Sequence, residues 1–277
     1  MIPPIILLRV WLVALAAFAV APCGRSQLSL LAYDEFNYVT GAALSGQNGG
    51  TGWSTAWVRD YTAGGSLAVS GTGLSYAGLS TSGGSATWGP GGNRISEASR
   101  TLPLVNSGVV YLQFLGQFGA TSGGGTPSLR LFASDLFTGG IGGNGGTYGS
   151  VVSILDTNLN SAANGSSSTS ASLSALNFMV VRIDYAANET RLWTNPNLAT
   201  FDYGNPGVSD ATYISLAPAF DKIAIYTRSP GTIDELAVYS AIPEPAAVAS
   251  IAGAAALLCA ARRGRGRQRA SSIVPTP

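Results

Sequence analysis

The feature that most limits what this chain can become is how its apolar residues are spaced. Between residues 27 and 241 no long stretch repeats its apolar positions at a helical period. Short runs rich in β-branched and aromatic residues alternate instead with Gly/Ser clusters, the pattern of many short strands joined by turns. The clearest runs are 109–118 (VVYLQFLGQF), 129–133, 151–155, 178–185, 191–194, 222–226 and 233–239. Gly-rich stretches at 46–52, 83–92, 122–125, 139–146 and 164–170 read as the loops between them. A chain with this punctuation is expected to be all-β, a sandwich or a barrel.

One hairpin is legible in detail. In FMVVRIDYAANETRLWTNP (178–196), Met179, Val181, Ile183 and Tyr185 alternate with Val180, Arg182 and Asp184. Alternation puts the two sets on opposite faces of a strand. The turn at 186–189 holds Asn188, and the return strand ends in Trp193-Thr194-Asn195-Pro196. A second stretch, FDKIAIYTRSPGTIDELAVYS (220–240), closes the domain. Together with VVYLQFLGQF and the opening LLAYDEFNY (30–38), which a Gly-rich stretch and Gly52-Trp53 follow, these resemble the laminin-G-like, concanavalin-A-like jelly-roll domains of exported bacterial proteins. The resemblance implies a jelly-roll β-sandwich over residues 27–241.

The two ends have a different character. Residues 5–21 (IILLRVWLVALAAFAVA) form an apolar run with an early Arg9, followed by PCGRSQ. This has the form of a secretory signal peptide over residues 1–26. Ala19-Val20-Ala21 offers a small-x-small cleavage site but is followed by the unfavourable Pro22, and Gly24-Arg25-Ser26 before Gln27 is the substitute. Acylation at Cys23 and an uncleaved N-terminal anchor remain as alternatives.

At the other end Ile242 precedes Pro243, Glu244 and Pro245, then the uncharged run 246–261 (AAVASIAGAAALLCAA). Arg262, Arg263, Arg265, Arg267 and Arg269 follow at once. The prolines exclude helix at 243–245. Sixteen helical residues span roughly 24 Å, slightly short of a ~30 Å hydrocarbon core, and snorkelling arginines close the gap. Clustered arginines stay cytoplasmic, so the segment is expected to act as a stop-transfer transmembrane helix with the rest of the protein outside. In its order of parts, 242–269 resembles the PEP-CTERM sorting signal of exported bacterial proteins. That resemblance implies an exosortase-type processing protease as partner, beside signal peptidase. It also implies anchoring in the inner membrane before processing and release to the cell surface or extracellular matrix afterwards. Residues 270–277 read as a disordered tail.

Charge and cysteine usage follow this division. Residues 27–245 carry eight basic against fourteen acidic residues, a net of −6, and the basic excess lies in the arginine tail. A domain with this balance and a single lysine is not expected to bind nucleic acid, which demands clustered cations. Its two cysteines, Cys23 and Cys259, both fall in the terminal segments, so no disulfide is expected within the domain.

The chain contains no histidine. Ser-His-Asp and Cys-His nucleophiles and histidine-ligated zinc or iron sites are therefore excluded. Paired carboxylates are what remain for a glycoside hydrolase or lyase. The jelly-roll glycosidase string Glu-x-Asp-x-x-Glu is missing, and the acidic pairs are Asp34-Glu35 and Asp234-Glu235. Strand neighbours point to opposite faces, so neither pair alone is expected to flank one bond. Either member of the first pair could meet the second if the terminal strands pair.

The Gly-rich run 140–145 matches GxGxxG by letter but lacks a βαβ setting and reads as a loop. No cofactor is expected. Calcium is admitted, with Asp135, Asp156, Asp202 and Asp210 near loops but no ligand spacing that names a site. For carbohydrate the candidates are aromatics beside loops: Trp53, Trp57, Trp88 and Trp193, with Tyr61 and Tyr148. Each is set against a role in the core. The expectation is an exported, non-enzymatic structural or adhesive β-sandwich associated with exopolysaccharide. The alternatives are a carbohydrate-binding module and, after it, a glycoside-active enzyme.

Overall fold

The computed structural model describes residues 27–59, 66–88, 96–118, 128–132, 152–155, 158–161, 165–168, 174–214, 217, 219–227 and 230–242. The signal segment, Pro243–Pro245, the 246–261 run, the arginine tail and residues 270–277 lie outside them. Among the described residues there is no helix long and apolar enough to cross a membrane. All regular structure described is strand, and Leu28–Ala241 form one compact unit.

The first sheet, sheet I, contains β1 (Gln27–Asp34), β3 (Ala68–Ser70), β4 (Ser85–Trp88), β6 (Val109–Phe118), β11 (Asn177–Asp184), β12 (Glu189–Thr194), β13 (Ala211–Ile214) and β15 (Gly231–Ile242). Its order is β13-β12-β11-β6-β15-β4-β3, and β1 pairs with β15 as well. The second, sheet II, contains β2 (Val58–Arg59), β5 (Ser96–Val105), β7 (Ser128–Phe132), β8 (Val152–Leu155), β9 (Asn158–Ser161), β10 (Gly165–Ser168) and β14 (Phe220–Thr227). Its order is β10-β9-β8-β7-β14-β5-β2. This is an all-β, two-sheet sandwich, consistent with a jelly roll.

Each predicted run overlaps a strand within the described residues, and the hairpin at 178–196 forms β11 and β12, with Val181 opposite Leu192. Two expected loops are corrected in part. The 83–92 stretch contains β4, and 164–170 contains β10. Their small residues read as turn because nothing local marks them. What makes them strands is a partner: Ala86 pairs with Ile233, and Ser167 with Leu159.

Alternation explains where the core sits. Val110, Leu112 and Phe114 of β6 join Val181 and Ile183 of β11, Leu129 and Leu131 of β7, and Ile223 and Ile225 of β14 in one buried cluster between the sheets. Each such burial contributes roughly 1.5–3 kcal/mol. The intervening residues Tyr111, Leu115, Phe178, Val180 and Trp193 form a second cluster on the outer face of sheet I. That face is covered by the β3–β4 connection (71–84), through Leu74, Tyr76 and Leu79, and by Leu198, Phe201 and Tyr203 from the β12–β13 connection. Sheet I is thus apolar on both faces, which is why β6 is buried at nearly every position.

Candidate functional site

The acidic pairs meet, because the first and last strands are neighbours. Asp34 ends β1, and Asp234 and Glu235 lie in β15, where the register against β6 shifts between Asp234 and Ala237. Glu235 occupies this bulge with φ of 52°. A non-glycine residue rarely takes that conformation, and it breaks the alternation of the strand. The expectation that Asp234 and Glu235 part to opposite faces is corrected here. Both carboxylates reach the 71–84 connection: Asp234 Oδ2 accepts from Leu74 N at 2.7 Å, and Glu235 Oε1 from Ser82 N at 2.6 Å.

Ser82 also joins the two pairs, since its hydroxyl donates to Glu35 Oε2 at 2.8 Å. The second oxygen of Glu235 accepts from the Tyr33 hydroxyl at 2.5 Å. Burial, followed by that hydrogen bond to a carboxylate, pushes the Tyr33 phenol well above its ordinary range. Asp234 is fully buried, and desolvation raises its carboxyl to about 7, with hydrogen bonds from Leu74 and Glu235 N–H opposing the shift. A carboxyl raised on folding holds its proton more tightly in the native state. The stability it contributes is present below its unfolded pKa of 3.8 and is lost as pH rises through about 7. Asp234→Asn should flatten the fall in stability between these values, read from urea midpoints across pH. An unchanged slope would assign the dependence elsewhere.

Asp34 has a different task. Its carboxylate accepts from Arg100 Nη1 at 2.6 Å, Tyr38 Oη at 2.7 Å, Trp57 Nε1 at 2.8 Å and Phe36 N at 2.9 Å. Arg100 comes from β5 in sheet II and spends its other donors on Thr55 O at 2.7 Å and Asn48 Oδ1 at 2.9 Å. With side chains 2% and 1% exposed, this ion pair crosses the interior between the sheets. Every member is satisfied, so the cluster is a structural tie and offers nothing to a ligand.

Beside the acidic bulge lies a pocket of about 210 Å³ lined by Leu30, Tyr33, Leu79, Ser80, Gln113, Phe178, Glu235, Ala237 and Tyr239. Four strands build it: β1, β6, β11 and β15, with the 71–84 connection as its wall. Gln113 donates its amide N–H to the Tyr203 hydroxyl at 2.6 Å, leaving the amide oxygen as its acceptor. Among the described residues Glu235 is the one carboxylate in the lining, and none of them adds an arginine or lysine to it.

Of the tryptophans singled out from the sequence, Trp57, Trp88 and Trp193 lie in the interior. Trp57 stacks on Phe36 at 5.9 Å, Trp88 on Phe118 at 6.1 Å, and Trp193 meets Phe201 edge-on at 5.7 Å. Their rings cover core surface and present no face for stacking. Trp53 is partly buried, 6.2 Å from Trp57, with the Arg100 guanidinium 5.1 Å over its ring. Tyr61, Tyr148, Asp135, Asp156 and the 140–145 glycine run lie outside the described residues. Asp202 and Asp210 accept backbone N–H groups of Gly204 at 2.8 Å and Thr194 at 2.6 Å. Among the described residues no three carboxylate or cysteine groups gather to hold a metal ion.

The sequence reading passes over the pocket's own aromatics, Tyr33 and Tyr239. The available signal was weak: both flank an acidic pair, Tyr33 at one residue and Tyr239 at four.

No known family matches the sequence, and no curated protein does. Among solved structures the chain is similar to the globular domain of T. cruzi calreticulin, at 11% identity and a TM-score of 0.46, covering 79% of this chain and 91% of that one. It is also similar to domain 4 of AbnA, a GH43 extracellular arabinanase from Geobacillus stearothermophilus solved with arabinotriose. There the identity is 12%, the TM-score 0.42, and the coverage 80% and 96%. A protein of unknown function with a galectin-like fold from Bacillus subtilis matches at 12% identity and a TM-score of 0.40, over 68% of this chain and 90% of that one. Likeness this coarse assigns neither ligand nor activity.

Proposed function

We propose that this chain is an exported, non-catalytic surface protein whose β-sandwich holds polysaccharide in the pocket on the outer face of sheet I. The observation that carries the reading is the pocket's lining. Aromatic surface from Tyr33 and Tyr239 faces hydrogen-bonding groups from Gln113, Ser80 and Glu235. A sugar has an apolar ring face and a polar rim, and this combination matches both. At about 210 Å³ the pocket falls below the ~300–1,000 Å³ typical of drug-sized sites, which suits one ring-sized unit of a chain. Binding is favoured over catalysis because glycoside hydrolysis needs two carboxyl groups flanking one bond. Among the described residues the lining supplies one, and the chain has no histidine to serve in place of the other.

The test is a glycan screen of the full chain, with calcium and without, beside Tyr239→Ala. Specific binding that Tyr239→Ala weakens about tenfold, the equivalent of ~1.4 kcal/mol, is the expected result. A folded protein that binds no glycan overturns the reading.

Export and sorting rest on the terminal segments. Signal peptidase removes the N-terminal segment, and an exosortase-type protease that recognises Pro243–Pro245 processes the chain after the apolar run has lodged in the inner membrane. The product joins the surface or matrix. Replacing Pro243, Glu244 and Pro245 together with alanine should strand the uncut precursor in the membrane fraction, while the native chain appears shortened outside the cell. Equal distribution of the two would refute the sorting role.

A further inference from the structure

At Glu235 and Tyr33 the pocket presents acceptors. Tyr33 gives its only acidic proton to Glu235, so its oxygen is left to accept. Gln113 commits one of its two amide N–H donors to Tyr203 and keeps its carbonyl oxygen as an acceptor. Glu235 takes one hydrogen bond at each oxygen, from Ser82 N and Tyr33 Oη. A carboxylate has about four acceptor positions, so roughly two stay open.

Charge points the same way. Glu35 shares Ser82 with Glu235, and Asp34 and Glu235 are near enough to act on Asp234. Of these four carboxyl groups, Asp34 is matched by Arg100. Among the described residues no cation lines the pocket, and residues 27–245 carry a net of −6. A uronate, a sulfate or any other anion would have to approach Glu235 with no compensating group. A ligand that supplies donors and positive charge meets complementary partners at Glu235 and Tyr33.

Resting on the carbohydrate-binding reading of this same pocket, we infer that it selects an amine-bearing sugar, a hexosamine unit whose nitrogen is free and cationic, seated against Glu235 with its ring on Tyr239. The ammonium supplies three donors to the open acceptors of Glu235 and Tyr33, and a charge-assisted hydrogen bond is about twice as strong as a neutral one. Acetylating the nitrogen removes the charge and two donors. The same ring then loses its advantage without losing its shape.

The experiment uses the full chain and four oligosaccharides of equal length: a glucosamine oligomer, its N-acetylated twin, a neutral glucose oligomer and a uronic acid oligomer. Affinities are measured at low and at high salt. The expected order is glucosamine first by about tenfold, the worth of one hydrogen bond to a charged group. The neutral and acetylated oligomers follow, and the uronate comes last. The glucosamine advantage should shrink as salt is added, because charge attraction is screened. In Glu235→Gln it should vanish, with the glucosamine oligomer falling to the affinity of its acetylated twin. If that variant fails to fold, the salt dependence of the native chain decides alone. Glucosamine binding no tighter than its acetylated twin at low salt overturns the inference and leaves the broader reading standing. Failure of all four to bind, by a folded protein, removes both.

Discussion

Arg100→Met should cost this protein on the order of 3–5 kcal/mol, the largest loss expected from any single polar substitution in it. Methionine keeps most of the aliphatic stem but removes every donor. Asp34 then stays in the interior, 1% exposed, with hydrogen bonds from Tyr38, Trp57 and Phe36 N but no counter-charge. Thr55 O and Asn48 Oδ1 lose their donors as well. A buried carboxylate without its cation carries most of its desolvation penalty unrelieved. The control is Arg100→Met combined with Asp34→Asn. Removing both charges should return a large part of the loss, since a pair replaced by neutral groups is often close to neutral in stability. Urea unfolding at fixed pH reads both. A single-variant loss under about 1 kcal/mol would show that water reaches the pair and that it does not tie the sheets together.

Gly52→Ala is the second. Its φ is +76°, and an added Cβ would stand 1.8 Å from the Leu31 carbonyl oxygen and 2.8 Å from Ala32 Cα. Both obstacles are backbone of β1, so no side-chain rotation relieves them. The strand there is also pinned by reciprocal hydrogen bonds of 2.9 Å between Tyr33 and Thr51. Gly108 separates the two components of the cost. It has nearly the same φ, +74°, and nothing within 4 Å of the added atom. Gly108→Ala should therefore cost about 1–3 kcal/mol, the conformational part alone. Gly52→Ala should exceed it by about 1–3 kcal/mol for the forced displacement of β1. Because Tyr33 and Leu30 line the pocket, Gly52→Ala should weaken glycan binding and Gly108→Ala should not. Equal losses in the two variants would mean that β1 shifts freely.

Strands made from strong local signal were legible in advance. VVYLQFLGQF becomes β6, and the alternating FMVVRID becomes β11, because β-branched and aromatic residues favour strands whatever their partners. β5 was passed over. Its segment SEASRTLPLV reads as polar, yet Ser96, Glu97, Ser99 and Arg100 are buried next to the edge strand of sheet II. A buried arginine is improbable until its partner is known, and the partner is 66 residues away.

The tryptophans show the same division from the other side. From the sequence Trp57, Trp88 and Trp193 are candidates for stacking on sugar, each weighed against a core role, and all three fill interior space. A large aromatic residue looks alike in sequence whether it covers a core or a ligand. The pocket instead draws on tyrosines in the first and last strands, on Gln113 and on a connection folded back over the sheet. The meeting of the two acidic pairs was foreseeable only on the condition that the terminal strands pair. That both members of the second pair would turn the same way depended on a bulge with positive φ at Glu235.

What the sequence alone determined is the class of structure and the exclusions: all-β punctuation, no histidine chemistry, no disulfide inside the domain, and an acidic balance unsuited to nucleic acid. These follow from composition and from periodicity along one dimension, which need no knowledge of partners. Tertiary structure alone decided which charges are buried together, which aromatics are core and where a ligand has room. Those depend on contacts between residues distant in the chain, and strand periodicity states which face a residue takes without stating what lies opposite it.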